Sequence, residues 1–102
     1  MNSDFDRIDA LMSYTLGLSV NEWRVVRLLW KNKACSVDEV ADEFYENPNN
    51  NELLVARATV SKVNEKRHKS KLPKIDSIRQ YGYAVPDEFI TQLDQLYERF
   101  KK

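Results

Sequence analysis

Few side chains here can do chemistry, and the ones that cluster are cations. Eight of the sixteen Lys and Arg residues lie between Arg57 and Gln80, opposed only by Glu65 and Asp76. That segment therefore carries +6, and the rest of an overall neutral chain carries −6. Positive charge gathered locally in a neutral protein points to a surface for polyanions. Other chemistries lack their groups. One histidine (His68), one cysteine (Cys35) and two glycines leave no His–carboxylate pair, Cys–His dyad, metal-ligand spacing or glycine-rich phosphate loop. No catalytic residue, metal or cofactor is expected, and the chain does not read as an enzyme. The lone cysteine suits a reducing cytoplasm. No apolar run approaches the ~18 residues of a membrane span, and the charges in Met1–Ala10 are wrong for a secretory signal.

The elements that must position the cations can be read from caps and periodicity. At 102 residues the chain is expected to be one domain, 1–102, with a modest core. Residues 3–14 read as a helix capped by Ser3, with Phe5, Ile8, Leu11 and Met12 at helical spacing, and Gly17 ends it. Ser19–Glu22 and Ser36–Glu39 both have the S-x-x-E form of a capping box. They open helices at about 20–32, with Val20, Trp23, Val26 and Trp30 on one stripe, and at about 37–46. The loop at 47–51 precedes a helix at 52–69 that turns Leu53, Ala56, Val60 and Val63 inward. Residues 74–85 are rich in strand formers, and Gly82 reads as the turn of a hairpin. A last helix, 86–102, starts at Pro86-Asp87-Glu88. The fold class is thus mainly α with a small β-hairpin.

This order, two helices, a loop, a basic helix and a hairpin, is the plan of a winged helix-turn-helix plus a C-terminal helix. In that plan a helix fits the major groove and the hairpin beside it reaches the backbone or minor groove. On the basic helix, Ala58, Lys62, Glu65 and Lys69 oppose the apolar side. Ser61 and Lys66 flank that stripe, with Thr59 beside Lys66, so the lysines should meet DNA together. The segments V-S-K-V-N-E-K (60–66), I-D-S-I-R-Q-Y-G-Y-A-V (75–85) and L-S-V-N-E-W-R-V-V-R-L-L (18–29) resemble the effector domain of OmpR/PhoB-type response regulators. The resemblance covers 18–85, the winged-helix core. Glu22-Trp23 followed by Trp30 is also similar to the first helix of penicillinase-repressor-type winged helices, which dimerise through C-terminal helices.

The first resemblance implies a cytoplasmic prokaryotic or phage transcription regulator. Lys62 would contact phosphate or base edges, Arg79 would lie near the minor groove and Tyr83 near the backbone. Gln80 stands where that family usually has glycine, and Asn64 and Glu65 stand where basic residues are common. The expected double-stranded DNA site is Ala58, Thr59, Ser61, Lys62, Glu65, Lys66, Lys69, Lys71, Arg79, Gln80, Tyr81 and Tyr83. Tyr81 and Tyr83 either pack or stack on bases, and Arg57 is expected to pair with Asp38 or Asp42. The last helix either folds back or joins a homodimer through Phe89, Leu93, Leu96 and Phe100. The dimer is the preferred expectation, because two half-sites raise affinity. The rival reading is an interaction module for RNA polymerase or another phage or host protein, using the −6 surface outside the basic segment; the resemblance also implies that the 47–51 loop can touch RNA polymerase, through Glu46 and Glu52 around it.

Overall fold

Three of the four longest helices begin at a residue whose side chain accepts from a free backbone N–H group. The computed structural model describes residues 5–101, so the expected Ser3 cap lies outside the described residues. Helix α1 (Arg7–Leu16) is opened instead by Asp6, in a capping box with Asp9, and closed by Gly17 at φ 71°. Ser19–Glu22 opens α2 (Val20–Asn32), and Ser36–Glu39 opens the short α3 (Val37–Asp42). Helix α4 (Asn50–Glu65) starts inside the expected loop, because Asn49 and Glu52 form a fourth reciprocal box. Glu52 accepts from the Asn49 amide at 3.0 Å.

The expected single helix of 52–69 breaks at Lys66 (φ −90°, ψ 10°), and a one-turn α5 (Arg67–Ser70) follows. After it come β2 (Asp76–Ile78), β3 (Gly82–Ala84) and α6 (Asp87–Lys101). A strand absent from the sequence reading, β1 (Ala34–Ser36), pairs antiparallel with β3. The chain is therefore mainly helical, with a three-stranded antiparallel sheet in the order β1-β3-β2.

Gly82 does a different job from the turn residue expected. The left-handed turn position is Gln80, at φ 63°, and the Tyr81 N–H closes the turn on the Ile78 carbonyl at 3.0 Å. Gly82 lies within β3, where a Cβ would stand 2.2 Å from the Cys35 carbonyl oxygen and 2.6 Å from the Ser36 Cα. Only a residue without a side chain lets β1 come that close.

The core is built on α2: Trp23, Val25, Val26 and Leu29 are fully buried, while Val20, expected on the same stripe, is exposed. Helix α6 closes the core in cis, packing on α1 and α2. Phe89 and Leu93 are fully buried, Leu96 is 7% exposed, and Phe100 packs against the core. These are the side chains expected at a dimer contact. The domain's own need to cover apolar surface takes them up first. Trp30 is only partly buried; it donates to Asp94 at 2.9 Å and meets the Tyr97 ring edge-on at 5.7 Å, fastening α6 to α2.

Gly82→Ala should force β1 away from β3 and cost about 2–4 kcal/mol, lowering the thermal midpoint by roughly 10 °C or more. An unchanged midpoint in a calorimetric scan would contradict this strand register.

Candidate nucleic-acid interface

Helix α4 buries Ala56, Val60 and Val63 and leaves its opposite side in solvent. Leu54, Val55, Ala58, Ser61, Lys62 and Glu65 are exposed along it. The hairpin tip beside it is exposed as well, at Ile78, Arg79, Gln80 and Tyr81. Helix and hairpin share the core, and Asn64 ties the hairpin's lead-in to α4. Asn64 Nδ2 donates to the Ile75 carbonyl at 3.0 Å, and its Oδ1 accepts from the Ile75 N–H at 2.9 Å. Both amide groups are used on one residue's backbone, which fixes where the hairpin departs. A cleft of about 400 Å³ lies between them, with Arg57 and Arg79 in its lining. Burial pushes the Tyr83 phenol above its ordinary 10.0, and the nearby Arg57 charge partly offsets this.

No family model, curated protein or solved structure matches the chain.

Five of the expected site residues lie elsewhere. Thr59 is only 9% exposed, and its hydroxyl donates to the Val55 carbonyl at 2.8 Å, as a mid-helix threonine facing the core does. Tyr83 is 6% exposed in the central strand, so packing decides between the two readings left open for it. Lys69 and Lys71 line a separate cleft against α6. Lys66 is also removed from the outer stripe, because its Nζ reaches Glu22 Oε1 at 2.7 Å. The expected single plane of lysines is thereby divided. Ala58, Ser61, Lys62, Glu65, Arg79, Gln80 and Tyr81 remain exposed on α4 and the hairpin.

Sequence reasoning noted Asn64 only as standing where the resembling family commonly has a basic residue. A short amide four residues after Val60, just before the chain doubles back, is the signal that could have found it. Among the described residues Arg57 makes no ion pair with Asp38 or Asp42; it faces the hairpin cleft instead. Cys35 offers no nucleophile, since burial and the Glu39 and Glu43 charges push its thiol up to about 12.

Glu22 is 5% exposed and has two duties, accepting from the Ser19 amide at 2.9 Å and from Lys66. Burial raises its pKa, but the Lys66 and Ser19 hydrogen bonds and the Lys66 charge outweigh that and hold it below 4.5. The pair's stabilisation is thus fully present above 4.5 and is lost as pH falls through the lower folded value. Lys66→Met should cost about 1–2 kcal/mol near neutral pH; the Lys66 side chain is 36% exposed, so the larger penalty of a fully buried pair is discounted for solvent screening. The gap in thermal midpoint between the parent and Lys66→Met should narrow as pH falls below 4.5 and Glu22 protonates. A gap constant across that range would contradict the pairing.

Proposed function

We propose that the chain is a winged helix-turn-helix that binds double-stranded DNA sequence-specifically, as a cytoplasmic transcription regulator. Helix α4 enters the major groove, and the β2–β3 hairpin touches the adjacent backbone or minor groove. The observation that carries this reading is the Asn64–Ile75 latch. It holds a hairpin with Arg79 at its tip beside a helix whose small outer residues, Ala58 and Ser61, flank Lys62. The order α2, β1, α3, α4, β2, β3, with β3 between the other strands, agrees with it. Exposed Leu54 and Val55 could meet thymine methyl groups, and Arg57, Lys62 and Arg79 supply the phosphate contacts.

One observation favours a second reading. Leu54 is 62% exposed and Val55 45% exposed on the outer side of α4, and Ile78 and Tyr81 are exposed on the hairpin. An apolar group of this kind also suits a protein partner, such as RNA polymerase or another phage or host protein.

Salt dependence separates the two. With three phosphate contacts, the log of duplex affinity should fall against log salt with a slope of about −3, and Lys62→Ala should reduce that slope by about one. Arg79→Ala should do the same, whereas Lys66→Met, measured where it is folded, should leave the slope unchanged. No duplex binding in a low-salt anisotropy titration would remove the DNA reading and leave the protein partner.

A further inference from the structure

The rest of the basic segment builds a second surface that the DNA reading does not use. Lys69 and Lys71 line one side of a cleft of about 390 Å³, and Arg99 of α6 lines the other. This cleft shares no lining residue with the one between α4 and the hairpin. Its apolar lining includes Leu72 and Leu96, and no Asp or Glu is among its described lining residues. Gln92, also in the wall, is tied to Glu88 by a 3.2 Å hydrogen bond from its amide. Among the described residues none of the three cations makes an ion pair.

The cations are placed by the fold. The stem of Lys69 runs over Gly17, its Cδ 3.5 Å from where a Cβ would stand. Lys71 is held in the left-handed conformation at φ 65°, its N–H on the Arg67 carbonyl at 2.8 Å. Each lies near a helix C-terminus, where positive charge is favoured. That preference does not require three cations to line one cleft without an acid. Such an arrangement is repulsive when empty and favourable around a doubly charged anion, and an arginine fork suits phosphoryl oxygens. The volume falls within the range of small-molecule sites.

We propose that this cleft binds a small organic phosphate. Its phosphoryl group lies among Lys69, Lys71 and Arg99, and its carbon skeleton lies on Leu72 and Leu96. The proposal does not depend on the DNA reading.

The phosphoryl chemistry could also come from a nucleic-acid backbone, so the test has two arms. The full-length, nitrogen-15-labelled chain is titrated with inorganic pyrophosphate at ionic strength held constant with sodium chloride, following amide chemical shifts. Saturable shifts are expected around residues 15–17, 69–72 and 92–99. Affinity should fall about tenfold in the double variant Lys69→Gln/Arg99→Gln and stay unchanged in Lys62→Ala. The double variant's own spectrum reports its fold, and the single variants, each weakened about threefold, carry the test if that fold is lost. Absence of saturation, shifts centred on other basic residues, or undiminished affinity in the variants would overturn the proposal. In the second arm a short DNA duplex replaces pyrophosphate. If the duplex alone shifts these amides, the cleft is a backbone contact and the small-ligand proposal falls.

Discussion

The pairing of Lys66 with Glu22 stands at the point where this chain's basic segment divides. Glu22 is spent first on the cap of α2, where its carboxylate accepts from Ser19, and is buried in doing so. A buried carboxylate with one hydrogen bond is costly, and a cation that reaches it from half-exposed surroundings removes most of that penalty. Lys66 provides that charge at 2.7 Å, at the residue where α4 gives way to α5. The change of direction at this joint lays α5 against α1 and carries Lys69 and Lys71 to the α6 side. One ion pair thus marks the point where a segment of +6 becomes two surfaces.

The hairpin depends on two further constraints, neither of which involves a formal charge. Asn64 ties its lead-in to α4 through the Ile75 backbone, and Gly82 lets β1 lie against β3. Gln80 accepts a left-handed φ of 63° at the tip, a position where glycine would be unstrained. A side chain is therefore kept at the exposed tip at some conformational cost.

What the sequence disclosed was local. The boxes at Ser19–Glu22 and Ser36–Glu39 were legible because capping involves residues three apart. The Asn49–Glu52 box follows the same logic, but an asparagine run reads as loop until the amide is recognised as a cap. The strand β1 had no such signal, since Ala34-Cys35-Ser36 neither alternates nor is rich in strand formers; its partner β3 makes it a strand. A helical wheel extended through Lys66 set Lys62, Lys66 and Lys69 to meet DNA together, because a wheel cannot register that the helix breaks at Lys66. The stripe of Phe89, Leu93 and Leu96 announced an apolar partner without naming it, and the partner is this chain's own α1 and α2.

The proposed DNA-binding face is thus smaller than the basic segment suggested, and it rests on Arg57, Lys62 and Arg79 together with the uncharged outer residues of α4. Hydrogen–deuterium exchange of the chain with and without a duplex tests that division most directly. The account predicts new protection at 54–62 and 77–82 and none at 69–72 or 92–99. Protection confined to the α5 and α6 segments, with α4 and the hairpin unaffected, would contradict it.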